Sequence, residues 1–101
     1  MGFIDAARVD VAAVLDAAHR YDTVAATLDG AAQRCLTVLA FGGARAGREY
    51  SAEGEDLRRA VDRTVDALRD WSRGCRDLAA QLRVSAAEYV QVDDRAARRI
   101  G

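Results

Sequence analysis

The side chains that could do chemistry in this chain are few and far apart. His19 is the single histidine, and Asp16 and Asp22 flank it at helical spacing, so a metal ion could be imagined among the three. A di-iron helical bundle, however, needs Glu-x-x-His motifs on several helices, and the sequence has none. We therefore expect a solvated histidine, no metal site and no cofactor.

A glycine cluster at Gly42, Gly43 and Gly47 matches a phosphate-binding loop only in its glycine content. No strand pattern precedes it, and it lacks the Lys and the Ser or Thr that end a nucleotide-binding loop. The Ser–His–Asp and Cys–His arrangements of nucleophilic catalysis have no supporting motif either. We expect a protein that is not an enzyme.

The two cysteines, Cys35 and Cys75, both fall at apolar positions that are in phase with a helical repeat. In a hairpin that reverses near the glycine cluster, their levels differ by roughly 25–40 Å along the helix axis. A disulfide needs Cα atoms within ~7 Å of each other. The sequence therefore predicts buried free thiols that pack as small hydrophobic groups.

Charge and hydropathy exclude several classes of partner. The net charge is −1, from 15 basic and 16 acidic residues, which leaves no basic footprint for nucleic acid. The longest apolar stretch, around Leu36 to Phe41, is far short of the ~20 residues that span a bilayer. The first residues lack the basic and apolar regions of a signal peptide. We expect synthesis in the cytoplasm, no nucleic-acid partner and no membrane insertion.

The composition favours helices, because Ala is the commonest residue, Pro is absent and aromatic residues make up 6%. Two long apolar repeats with alternating three- and four-residue spacing flank the glycine cluster. This period is typical of helices that pack along a coiled-coil seam, the apolar stripe at the helix–helix contact. The predicted seam is Val11, Val14, Ala18, Tyr21, Ala25, Leu28, Ala32, Cys35 and Leu39 in the first repeat, and Tyr50, Gly54, Leu57, Val61, Thr64, Leu68, Trp71, Cys75, Leu78, Leu82, Ser85, Tyr89, Val92 and Ala96 in the second.

The repeats predict an all-α fold, an antiparallel helical hairpin of two long helices that forms a single domain over residues 1–101. Helix one is expected at about 10–40, the turn at about 41–46 and helix two at about 46–98. Asp10 is the expected N-cap of helix one, and Asp5 is the alternative. With these bounds the end of helix two overhangs the start of helix one, so its apolar side needs cover from another molecule.

Association is expected because Ala buries little area, and a hairpin of this size cannot bury a sizeable core alone. We expect a homodimer or a heterodimer with another helical hairpin, forming a four-helix bundle. Gly47 and Gly54, in phase with the second seam, indicate either a frayed helix start or the close approach of another helix. The expected interface residues are Leu57, Val61, Leu68, Trp71, Leu78 and Leu82.

Two short motifs suggest a family. Phe41-Gly42-Gly43 lies near the middle of the chain, and Tyr89-Val-Gln-Val-Asp93 lies near its end. A chain of about 100 residues with two long helices and an aromatic-x-Gly segment at the turn resembles the WXG proteins of type VII (ESX) secretion. The longer run from Phe41 to Tyr50 looks most like the EspC-like branch of these proteins. Phe41 stands where the WXG pattern has Trp.

The resemblance implies that Tyr89 and Asp93 form a Tyr-x-x-x-Asp export signal that is presented to the secretion ATPase. Residues four apart project from one helix face, so the two can be read together. In WXG-type dimers the overhang of one chain would lie beside the Phe41-Gly42-Gly43 turn of the other, which completes the patch.

The implied function is that of a non-enzymatic helical substrate or co-secreted partner of a type VII secretion system, found outside the cell or in its envelope. The alternative is a cytoplasmic helical adaptor, or chaperone-like partner, for the helical domain of a secreted toxin. The two hypotheses differ in whether the chain itself is exported.

Overall fold

Two long α-helices contain every residue whose backbone the computed structural model describes, namely residues 2–46 and 52–100; side chains are described for residues 10–42 and 52–99. Helix α1 spans Gly2–Ala46 and helix α2 spans Ala52–Ile100. No strand occurs within these two ranges. The predicted all-α class is confirmed, and the two helices are consistent with the predicted helical hairpin.

Helix formation follows from the local sequence. Ala has the highest helix propensity, and the chain contains no Pro to interrupt either helix. The first turn of α2 holds Glu53 and Glu55, and its last turn holds Arg98 and Arg99. These charges oppose the partial charges at the two ends of the helix dipole and stabilise both ends of α2.

The bounds of α1 differ from the prediction at both ends. Asp10 and Asp5, the two expected caps, lie inside the helix, so neither precedes it. The turn predicted at 41–46 is wrong, because these residues continue α1. Gly in a helix costs about 1 kcal/mol relative to Ala, and the surrounding alanines offset that cost. Residues 47–51, with the seam-phased Gly47 and Tyr50, lie outside the described residues.

The chain forms two compact units, each built from part of α1 and part of α2. The central unit is Val24–Gly74. Ala25 and Ala32, seven residues apart on α1, are buried in it, as are Val65 and Ser72, seven residues apart on α2. The Ser72 hydroxyl donates a hydrogen bond to the backbone carbonyl of Ala25 at 3.2 Å. Repeated small side chains, together with the buried Leu28, therefore form the contact between the helices in this unit.

The terminal unit comprises Met1–Thr23 and Cys75–Gly101. An ion pair joins the two helices in this unit, with 2.6 Å between a guanidinium nitrogen of Arg83 and a carboxylate oxygen of Asp22. Cys75 is a buried free thiol, and Cys35, in the central unit, is a half-buried one. The buried side chains of the terminal unit are again small: Ala18, Cys75, Ala79 and Ala86.

The contact face of α2 keeps one of the two predicted seam positions in each heptad, as at the buried Cys75, and is rotated by one residue at the other. Val65 and Ser72 are buried where Thr64 and Trp71 were expected, and Trp71 is 62% exposed. One residue corresponds to about 100° around a helix. The rotation has a simple cause, since small side chains allow a closer approach of two helices than Trp does. Leu57 and Trp71 consequently lie beside the helix contact, where they remain exposed to solvent.

Candidate functional site

Tyr89 and Asp93, the predicted export signal, lie on the continuous helix α2 in the terminal unit. Both side chains are exposed, and Tyr89 keeps 49% of its surface accessible. Because the two positions are four residues apart on a regular helix, the phenol ring and the carboxylate are presented on one face. A partner can therefore contact both groups at once without any change in the backbone.

A shallow groove of about 400 Å³ runs beside these two residues. Helix α2 contributes Tyr89, Val90, Asp93 and Asp94, while α1 contributes an apolar wall. The two aspartates have no ion-pair partner among the residues whose side chains are described. The residues of the apolar wall are Val11, Ala12 and Leu15.

The contribution of α1 to this groove corrects the expected overhang. Helix α1 has 45 residues and α2 has 49, so α1 does not stop about 20 residues short. Leu15 lies beside Tyr89 in the groove, and Leu82 is half-buried rather than bare. A dimer is not needed to provide neighbours for Tyr89, because the same chain already supplies them.

The second family motif, Phe41-Gly42-Gly43, lies in the last turns of α1, within the central unit. Phe41 is 71% exposed, as is Val38 one turn earlier. A Cβ atom added at Gly42 would meet nothing within 4 Å, so no close intrachain contact requires glycine there. Phe41 and Gly42 are thus exposed, and the motif lies within a helix rather than at a chain reversal.

The six expected interface residues divide into two groups. Val61, Leu68 and Leu82 are half-buried beside the contact between α1 and α2 in their own units. Leu57 and Trp71 are 63% and 62% exposed, and Leu78 is 36% exposed. The exposed group has no function in the core of its own chain, and its members are therefore available to another molecule.

Sequence reasoning missed the groove as a feature. The apolar repeat places Val11 in the predicted seam, and the sequence pattern predicts no role for Ala12, Val90 or Asp94. The error comes from the turn expected at 41–46, because α1 continues to Ala46 and the later reversal brings the end of α2 beside Val11 and Leu15. The available signal was the run Ala44-Arg45-Ala46, three good helix formers that favour continuation of α1 beyond the two glycines.

Other chemistry receives no support from the side chains that are described. His19 is exposed, and no group of three His, Cys, Asp or Glu residues in residues 10–42 and 52–99 could hold a metal ion. Within the described part of the chain, neither helix is apolar over a length that would cross a bilayer. The groove offers an apolar wall and two carboxylates, which is a surface for binding.

Comparison with known proteins identifies a family. The sequence profile described as "excreted virulence factor EspC, type VII ESX diderm" matches residues 3–101. No curated protein and no solved structure matches the chain. The match covers nearly the whole sequence and includes both helices and both short motifs. The chain therefore belongs to the EspC family of type VII ESX secretion proteins.

Proposed function

We propose that the chain is a non-enzymatic substrate of a type VII secretion system, made in the cytoplasm and exported with Tyr89 and Asp93 as its signal. The observation that supports this most directly is the groove of the terminal unit, where both side chains are exposed on one face. Family membership supports the type VII secretion system as the route of export.

The proposed mechanism is presentation on a rigid surface. A signal that is already helical loses less conformational entropy on binding than a disordered tail does, which favours affinity. The secretion ATPase would contact the Tyr89 ring. A basic or polar group of the ATPase would donate a hydrogen bond to the Asp93 carboxylate. The wall formed by Val11, Ala12 and Leu15 would cover the apolar part of that contact.

The proposed mechanism also includes pairing with another helical hairpin in a four-helix bundle. Large exposed side chains beside the intrachain contact support it, because Leu57 and Trp71 keep 63% and 62% of their surface exposed to solvent. In a bundle each helix contacts two neighbours, on faces roughly 90° apart. Trp71 precedes the buried Ser72 by one residue, so it lies about 100° around α2 from that contact position. This direction suits a second neighbour.

The experiment that tests the export signal compares Tyr89→Ala with Val92→Ala in the native host. Both truncate exposed apolar side chains on the same part of α2, but Val92 lies outside the groove and occupies an unspecified position of the Tyr-x-x-x-Asp motif. We expect Tyr89→Ala to abolish secretion while Val92→Ala is exported like the wild type. Circular dichroism of both purified variants checks that helicity is unchanged.

The adaptor hypothesis makes the opposite prediction for the same assay. A cytoplasmic partner of a toxin would stay in the cells as wild type, and Tyr89→Ala would alter neither its location nor its amount. Normal export of both variants would contradict the signal at Tyr89 without contradicting export itself. The secreted-to-cellular ratio therefore separates all three outcomes.

A further inference from the structure

The central unit carries an exposed stripe on α2 that its own chain does not cover. Leu57, Thr64 and Trp71 are spaced seven residues apart, and all three side chains are exposed. The Thr64 hydroxyl donates to the carbonyl of Ala60 at 2.9 Å, so its polar atom is satisfied within the helix. Thr64 and Trp71 each come one residue before a buried contact residue, Val65 and Ser72, so the stripe lies about 100° around the helix from these two.

Small residues alternate with these large ones. Ala60, Ala67 and Gly74 each follow a stripe residue by three positions, so large and small side chains occupy the two core positions of a heptad repeat. A Cβ added to Gly74 would meet nothing within 4 Å, so open space lies above this helix position. The surface therefore has projections and depressions at regular spacing along one helix.

An antiparallel copy of the same helix fits this surface. Antiparallel pairing places Trp71 over Ala60 of the second copy and Leu57 over its Gly74, and each contact occurs twice by symmetry. Every layer then combines a large with a small side chain, as close packing requires. A parallel copy would place Trp71 on Trp71 and leave empty layers at the small residues.

Charges beside the stripe select the same arrangement. Arg63 and Asp70 lie seven residues apart on its outer edge, and both are exposed. In the antiparallel register each Arg63 faces Asp70 of the other copy. A carboxylate has several acceptor sites, so Asp70 can also keep its ion pair with Arg73 on its own helix. A parallel register would instead place Arg63 nearest Leu68 of the other copy, which offers no opposite charge.

We propose that α2 of the central unit pairs antiparallel with α2 of a second copy of this chain, with Trp71 on Ala60, Leu57 on Gly74 and Arg63 opposite Asp70. This inference rests on the bundle pairing proposed above and names its partner. It does not depend on the export signal, which lies in the other unit.

The test exchanges charges between Arg63 and Asp70 in the full chain. Arg63→Asp places two acidic residues against each other in a homodimer, and Asp70→Arg places two basic ones. We expect each variant alone to dimerise about tenfold more weakly than the wild type in sedimentation velocity. An equimolar mixture of the two should dimerise like the wild type, because opposite charges then meet at both contacts.

Arg69→Asp is the matched control, since it makes the same charge change on the same helix but outside the outer edge of the stripe. It should dimerise normally. A wild-type chain that remains monomeric up to about 100 μM would overturn the proposal. A mixture that associates no better than the single variants would also overturn it.

Trp71 gives a second readout because it is the only tryptophan in the chain. Its emission should shift to shorter wavelength as the wild type is concentrated, since the exposed ring becomes covered. Trp71→Ala should keep its helicity, because this side chain lies outside the buried core, and should lose dimerisation. Retained dimerisation of Trp71→Ala would contradict the proposed contact even if the charge variants behaved as expected.

Discussion

Ser72 shows how a single residue constrains the helix contact. Its side chain is 1% exposed, and its hydroxyl donates to the Ala25 carbonyl of the facing helix. Alanines at heptad spacing can pack in several axial registers, since each is small and none is directional. The serine adds one directional bond to this contact, so it favours the register in which hydroxyl and carbonyl meet.

The prediction at this scale is a modest loss of stability in Ser72→Ala. The variant loses the buried hydrogen bond to Ala25, whose carbonyl keeps the acceptor role in its own helix. We expect the free energy of unfolding to fall by about 0.5–1.5 kcal/mol in urea titrations followed by circular dichroism. Ser85→Ala, at an exposed position of the same helix, should change it by less than ~0.5 kcal/mol. Equal effects of the two substitutions would contradict a role for the buried hydroxyl.

At the scale of the elements, α2 has two apolar faces with different side chains. Small residues face α1, as Val65 and Ser72 do in the central unit, whereas Leu57 and Trp71 face outward. Close contact between helices needs small side chains, so Leu57 and Trp71 are left outside it. The division explains how a chain that is half apolar keeps so few large residues in its described core.

Overpacking the small-residue contact tests this division. Ala25 is fully buried and Ala26 is exposed, so Ala25→Leu and Ala26→Leu add the same atoms on different faces of α1. We expect Ala25→Leu to destabilise the chain by about 1–3 kcal/mol, because the added atoms push the helices apart. Ala26→Leu should remain close to the wild type. A stable Ala25→Leu with an unchanged melting temperature would show that the helices are not in close contact there.

Much of this element structure could be predicted from the sequence. The 3.5-residue repeat predicted two helices and placed Ala25 and Ala32 on the contact face of α1. It did not distinguish the two adjacent apolar stripes of α2, since hydrophobicity favours Trp71 whereas close packing favours Ser72. The start of α1 was also misplaced, because an Asp such as Asp10 suits an N-cap and an exposed helical position alike. The shared helix face of Tyr89 and Asp93 was predictable, and the groove beside them was not.

At the scale of the whole molecule, the chain presents surfaces for binding. The terminal unit carries the groove with Tyr89 and Asp93, and the central unit carries the outward stripe that includes Trp71. If the proposed functions hold, substitutions on these two surfaces disrupt export and association independently. We therefore expect variants at Asp93 to keep their oligomeric state and variants at Arg63 to keep an intact export signal.

The most direct measurement of the central claim compares Asp93→Asn with Asp94→Asn in the native host. Both substitutions remove one exposed carboxylate from the same groove, and each should cost less than ~0.5 kcal/mol of stability. Only Asp93 lies four residues after Tyr89, at the position that the export signal requires. The proposed function predicts a secreted-to-cellular ratio at least tenfold below wild type for Asp93→Asn and an unchanged ratio for Asp94→Asn. Equal export of the two variants would contradict it.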